Sequence, residues 1–285
     1  MNPYRKFVAD FARLTSEAKG YALGTFPPAP RPVEAPRAPR LLIFSPHPDD
    51  ECIFGALPLR LMREAGMRVT AVAVTQGSRK DRQKARFDEL TRACEYLGFG
   101  VIQVKEGGLE KINPKGRQAD PENWVQGVEA IARIVETHRP DILMMPHDSE
   151  LNTTHVGTHY LVMDALKRVG AFAGYIVEAE FWQPMTAPNL MVESSQDDVA
   201  DLITALTFHV GEVQRNPYHL GLPAWLMDNV RRGAEIVGSQ GGQAPDYAFT
   251  TLYRVRRWRD GALADAYAGG KRFSCRESLD GLFPL

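Results

Sequence analysis

His47, Asp49, Asp50 and Glu51 fall within five positions and form the densest group of chemistry-bearing side chains in the sequence. An imidazole with a carboxylate is a donor set suited to Zn²⁺ or another first-row divalent metal, and a catalytic centre of that kind keeps one position open for water. Adjacent aspartates point in different directions, so Asp50 can ligate while Asp49 takes a proton from that water. The competing reading is a helix start, where carboxylates sit well against the N-terminal dipole. A histidine between two prolines, with further histidines downstream, favours the metal.

The element that must position these residues is the apolar run Leu41 to Phe44, which reads as a buried parallel strand ending in a polar loop. Ligands bind at the carboxyl ends of strands in open α/β sheets. Pro46 and Pro48 bias Ser45 and His47 toward extended backbone, so the imidazole and the carboxylates leave a stiff turn.

Ser45-Pro-His-Pro-Asp-Asp-Glu51 resembles the signature of the PIG-L/LmbE-type zinc-dependent N-acetylglucosaminyl deacetylases, which carry His-Pro-Asp-Asp-Glu after the first strand. The likeness continues in Thr75-Gln-Gly77, in Arg86-x-x-Glu89, and in a helix closing on Leu97-Gly98. It implies that Arg86 contacts the sugar; the plainer alternative is a solvated ion pair with Glu89 on one helix face. Asn152-Thr-Thr-His155 resembles the family's downstream His-Pro-Asp-His block, which implies that His155 joins His47 and Asp50 as the third metal ligand. Two positions depart from that block. Asn152 replaces the first His, which in relatives helps stabilise the oxyanion, and Thr154 replaces the Asp. The oxyanion role then falls to Asn152 or to His147 at the preceding strand end. The resemblance spans residues 40 to 258.

The pattern around these motifs is βαβ. A helix is expected over 53–65, a strand over 67–75, a charged helix over 79–97 and a strand over 101–104. A polar loop over 105–123, carrying Lys111, Lys115 and Arg117, is expected beside the site. A helix over 124–138, a strand over 141–145, strands over 175–181 and 190–192, helices over 196–212 and 225–237, and an aromatic strand over 247–258 complete the reading. The fold class is therefore α/β: a Rossmann-like, mostly parallel sheet flanked by helices, in a single domain over 40–285. His138, His159, His209 and His219 are read as structural, and Trp182 as a rim residue.

Residues 1–39 stand apart. Tyr4, Phe7, Val8, Phe11 and Leu14 fall at helical spacing and predict an amphipathic helix that packs on the main domain or on a partner subunit of a homo-oligomer. The prolines at 27, 28, 30, 32, 36 and 39 predict an extended strap.

The 34 basic and 35 acidic side chains leave a formal charge of −1, which gives nucleic acid or an anionic membrane no electrostatic footing. The three cysteines, Cys52, Cys94 and Cys275, are far apart and support neither a disulfide framework nor a thiolate metal site. With no membrane span and no signal peptide in view, a cytoplasmic location is expected. The expected activity, implied by the resemblance, is metal-dependent removal of acetyl from a small N-acetylated amino-sugar conjugate. Alternatives are a metal amidase acting on another amide such as a thiol-sugar conjugate, or a non-catalytic Rossmann-like binding protein. The last is weakened because no Gly-x-Gly-x-x-Gly cradle follows the first strand.

Overall fold

The computed structural model describes residues 2–28, 35 and 37–284. Helix α1 (Pro3–Ala18) precedes β1 (Arg40–Ser45), which leads through the short helix α2 (Asp50–Ile53) into α3 (Ala56–Glu64) and β2 (Arg68–Ala73). There follow α4 (Gln83–Leu97), β3 (Gly100–Gln103), α5 (Pro114–Ala119), α6 (Pro121–His138), β4 (Ile142–Pro146), α7 (Thr153–Arg168) and β5 (Gly174–Ala179). Then come β6 (Leu190–Ser194), α8 (Gln196–Leu206), α9 (Val210–Arg215), α10 (Leu222–Gly233), β7 (Phe249–Arg259), β8 (Ala262–Asp265) and β9 (Lys271–Phe273).

The strands form one sheet in the order β3-β2-β1-β4-β5-β7-β6-β9, with β8 on β7. Neighbours from β3 to β5 are parallel, and β7 runs against them. This is the mostly parallel α/β architecture that the pattern predicts. The chain steps from β1 out to β2 and β3, then returns with β4 on the other side of β1. The gap between β1 and β4 is thus the topological switch point, where crevices form in such sheets. The segments that follow those two strands, each a loop running into a helix start, carry His47, Asp49, Asp50 and His155.

Both faces of the sheet are covered, which is why β1 is apolar at every central position. Leu41 and Ile43 point into the layer with Leu57, Leu61, Leu90 and Leu202. Leu42 and Phe44 point into the opposite layer with Val128, Ile131, Leu161 and Leu166. Alternate side chains of a strand face opposite sides, so a doubly covered strand reads as an unbroken apolar run. Each such leucine removed from water stabilises the fold by about 1.5–3 kcal/mol. Among the described residues no helix is long and apolar enough to cross a membrane.

Four expectations need correction. The helix predicted over 53–65 breaks at Phe54–Gly55, because in a continuous helix the Pro58 ring would clash with the Phe54 carbonyl. The helix predicted over 196–212 breaks at Thr207–His209, where Thr207 Oγ1 turns back to the Thr204 carbonyl at 2.6 Å and His209 points inward. The polar loop over 105–123 contains α5, started by the Asn113 side chain accepting from Gly116 N–H at 2.8 Å and by Pro114 at its first position. Helix α1 forms with none of its residues buried, so of its two expected packings the one on the main domain is not seen and a partner subunit is left; its polar face is tied by ion pairs between Lys6 and Asp10 and between Arg13 and Glu17. The strap expected over 27–39 lies largely outside the described residues.

Candidate active site

The loop after β1 is anchored before it delivers its side chains. The Pro46 carbonyl accepts from both Thr75 Oγ1 (2.6 Å) and Thr75 N–H (3.2 Å), which fastens it to the end of β2. Asp50 Oδ2 accepts His47 N–H at 2.8 Å. The turn is tight enough that Asp49 sits at φ 118°, a left-handed conformation uncommon outside glycine. It is held there by two bonds: its N–H donates to Glu51 Oε2 (3.0 Å), and its Oδ2 accepts the Tyr218 hydroxyl (2.6 Å).

His155 arrives from the other side of the switch point. Asn152 caps α7 by accepting Thr154 N–H at 2.9 Å, which places His155 in the first turn facing the loop after β1. Gly157 lets α7 lie directly against the chain at Ile112 and Asn113; a Cβ there would stand 2.4 Å from the Ile112 carbonyl.

Three donor atoms converge. His47 Nδ1, Asp50 Oδ2 and His155 Nε2 are each 3.3 Å from the other two. Four-coordinate zinc with bonds near 2.0–2.1 Å has donor–donor edges of about 3.3 Å, so the triangle matches one face of that tetrahedron. A proton shared along one edge would leave the other donors facing each other, whereas a cation satisfies all three. Burial works against the Asp50 charge, but the two imidazoles prevail and hold its carboxyl well below the usual range. The Asp50 and His155 side chains are buried, while His47 remains 20% exposed and marks the open side. These residues can hold a metal ion.

Asp49 stands beside the triangle without joining it. Burial, and then the neighbouring Asp50 charge, push its carboxyl up to about 6. Burial and the Asp49 charge push the Tyr218 hydroxyl far above its usual range, so Tyr218 remains a donor. Behind Asp49, the wholly buried Glu51 bonds His209 Nε2 at 2.8 Å. Cys52 lies close enough to make this a second metal-like cluster. Burial and then Glu51 push its thiol well above its usual range, however, and the thiol hydrogen bonds Glu51 Oε1 at 3.4 Å. We read it as a hydrogen-bonded group that supports the Asp49 turn through Glu51, with His209 Nδ1 left unpartnered.

Not every candidate residue converges on the metal donors. The His147 ring is occupied at both nitrogens: Nε2–H donates to the Gln183 carbonyl (2.7 Å), and Nδ1 accepts Ser149 N–H (3.3 Å). His159 Nδ1–H donates to the Pro146 carbonyl at 3.0 Å. Arg86 does not pair with Glu89. It donates to the Pro48 carbonyl (2.8 Å) and lies 3.8 Å from both Asp49 Oδ2 and Glu212 Oε1. Its guanidinium fills the space above Gly77, where a Cβ would come within 2.4 Å and where φ is +82°. Arg117 is tied to Asp164 and stacked over Tyr160, so of the basic residues expected on the 105–123 segment it serves packing. Lys111 lines a polar cleft of about 370 Å³ that opens at His47 and also presents Ser78, Lys80, Gln83 and Thr154.

Tyr218 is the residue that motif reasoning missed. It lies in an Asn-Pro-Tyr-His turn between α9 and α10, far along the chain from the loop it supports, and no spacing rule connects the two. His209, set aside as structural, proves to hold Glu51. The buried Glu51 was the available signal, since a carboxylate inside a core needs a partner.

The family described as PIG-L: GlcNAc-PI de-N-acetylase matches residues 42–166. A 1D-myo-inositol 2-acetamido-2-deoxy-alpha-D-glucopyranoside deacetylase of Mycobacterium leprae is 29% identical over 171 residues, covering 50% of this chain and 54% of the relative. The chain thus spans about half the length of the curated relatives it matches. Among solved structures, the N,N'-diacetylchitobiose deacetylase of Pyrococcus horikoshii superposes with a TM-score of 0.57 at 15% identity, over 90% of this chain and 93% of that one. GalB, the 4-carboxy-2-hydroxymuconate hydratase of Pseudomonas putida KT2440, gives the same TM-score and identity over 76% of this chain and 95% of its own. At such identity the superpositions carry the fold alone, and that fold hosts a hydratase as well as a deacetylase. The family match is separate from them: residues 42–166, which enclose all three metal donors together with Asp49, are similar to the PIG-L family.

Proposed function

We propose that the chain is a zinc-dependent hydrolase that removes acetyl from an N-acetylated amino sugar. The observation that carries the reading is the triangle of His47, Asp50 and His155 donors, 3.3 Å on each edge, with the buried Asp49 beside it and inside the segment similar to the family. The relatives' deacetylase names supply the substrate class.

Two imidazoles and a carboxylate form a set used by zinc hydrolases; His47, Asp50 and His155 would hold the ion, which would make bound water more acidic and polarise the amide carbonyl. The chain's own residues supply the rest. Asp49 accepts the water proton and returns it to the departing amine; a carboxyl raised to about 6 is matched to that exchange near neutral pH. Tyr218, Arg86 and Glu51 fix its direction. We assign Arg86 to this positioning role rather than to sugar contact, because its partners are the Pro48 carbonyl and the Asp49 and Glu212 carboxylates. We assign the oxyanion donor to the Asn152 amide, since only its oxygen is engaged by the cap and the His147 nitrogens are both committed. The polar cleft with Ser78, Lys80, Gln83 and Lys111 offers partners for sugar hydroxyls.

We further take 40–285 as the catalytic unit, with 1–39 appended to it. We also propose a cytoplasmic location and a small-molecule rather than nucleic-acid partner, readings supported by the unpaired cysteines and the near-neutral charge. The test is acetate release from N-acetylglucosamine and its glycosides by zinc-loaded protein, with a chelated control. Zinc-dependent release is expected. Binding of these sugars without release would leave the binding-protein reading, and release only from other amides would leave the broader amidase.

A further inference from the structure

A second cleft meets the same centre and plays no part in the mechanism above. It encloses about 400 Å³, and its walls are Ile53, Phe181, Trp182, Tyr218, Leu222 and Trp225. Three of these connect it to the site. Ile53 closes α2, the turn that begins at Asp50. The Phe181 ring packs edge-on against the His155 ring, with centroids 4.6 Å apart. The Tyr218 hydroxyl is bonded to Asp49. Trp182 is half exposed at the rim, an apolar surface left toward solvent beside a reactive centre.

The two clefts share no wall residue, and they differ in kind. The polar one offers hydroxyl, ammonium and amide groups. The apolar one offers the Tyr218 hydroxyl, already donated to Asp49, and two indole N–H groups. A sugar placed there would leave most of its hydroxyls without partners, which is unfavourable in a desolvated pocket. An amide has two sides. If its amine side, the sugar, occupies the polar cleft, its acyl side faces the apolar one.

We propose that this cleft receives the acyl group of the substrate, and that the preferred group is an unbranched chain longer than acetyl. The inference rests on the hydrolase reading above. The reaction remains a hydrolysis: the water oxygen bonds to the acyl carbon, the C–N bond breaks, and the water proton passes through Asp49 to the amine. The products are a free amino sugar and a carboxylic acid.

The test uses the zinc-loaded full chain and the N-acetyl, N-butanoyl, N-hexanoyl and N-octanoyl derivatives of glucosamine. Burial of each methylene should raise kcat/KM by about fourfold until the cleft fills. Trp225→Ala should cut the octanoyl-to-acetyl ratio by about tenfold or more; Trp182→Ala serves if the first variant does not fold. A series that is flat or falls with length overturns the proposal, as does an unchanged ratio in the folded variant. Faster turnover of the octyl glycoside of N-acetylglucosamine, with a flat acyl series, assigns the cleft to the sugar's aglycone and also overturns it. Binding is read separately by calorimetry on the zinc-loaded Asp49→Asn chain, where N-octanoylglucosamine should bind at least about tenfold more tightly than the N-acetyl compound. That preference without turnover of any amide by the unaltered chain sinks the hydrolase reading and keeps the cleft. Turnover without a length preference does the reverse.

Discussion

The Tyr218 hydroxyl donates to Asp49 Oδ2 across 2.6 Å and joins a turn near the carboxyl end of the chain to the loop after the first strand. It leaves Asp49 one carboxylate oxygen for chemistry and holds a left-handed residue in a single orientation. Tyr218→Phe keeps the ring in its apolar surroundings and removes this bond. A hydrogen bond to a charged group contributes about 1.5–3 kcal/mol, so kcat should fall by about ten- to a hundredfold with zinc content unchanged. Steady-state kinetics with metal analysis checks this; unchanged kcat would remove Tyr218 from the positioning of Asp49.

Asp49→Asn should retain zinc and lose about 10² to 10⁴ in kcat, because the amide cannot accept the proton while the three donors are untouched. Loss of the metal in this variant, measured by elemental analysis, would move Asp49 into the ligand set.

The purified chain should bind about one zinc ion, and His155→Ala should abolish high-affinity binding by removing a buried corner of the triangle. Full occupancy in that variant would mean that the ion is held elsewhere.

Asn152→Ala should lower kcat by about a hundredfold or more with zinc retained, the scale of losing one oxyanion donor. His147→Ala should act mainly on stability, by about 0.5–1.5 kcal/mol, because it removes the bond from its ring to the Gln183 carbonyl. If the kinetic loss falls on His147→Ala and spares Asn152→Ala, the two roles are exchanged.

Burial lowers the His159 pKa below its usual value, although the nearby Glu178 opposes this. The unfolded chain therefore takes up the proton first as pH falls below about 6.5, and the contribution of neutral His159 to stability is lost from there downward. Asp148 and Arg256 also face this ring. His159→Asn sets an amide N–H at the Nδ1 position as a donor for the Pro146 carbonyl and cannot titrate. Its urea midpoint should fall less steeply than that of the unaltered chain between pH 7 and 5, and parallel pH profiles would exclude His159 as a source of the acid sensitivity.

The order of βα units and the strand-end placement of His47, Asp49 and Asp50 were legible in the linear chain. They depend on local pattern: an apolar run, two prolines and a capping residue act within a few positions of the groups they orient. Helix breaks were less legible, because Pro58 acts on a carbonyl one turn away and His209 turns inward to meet a carboxylate far away in the sequence. The same holds for Arg86, for which family likeness implied a sugar contact and helix spacing a Glu89 pair, and whose guanidinium the fold sets against the Pro48 carbonyl, near Asp49 and Glu212.

The fold class, the donor-type residues on the first loop and, through family likeness, the choice of His155 to stand beside them could all be read from the linear chain. The commitment of His147 to a carbonyl, the hold of Tyr218 and the Glu51–His209 pair on the Asp49 turn, and the apolar cleft walled by Phe181 and Tyr218 beside His155 and Asp49 emerge only from the folded arrangement. The reason is range: periodicity and capping act over one or two turns, whereas a hydrogen bond between buried groups or the wall of a cleft depends on which distant segments the sheet brings together.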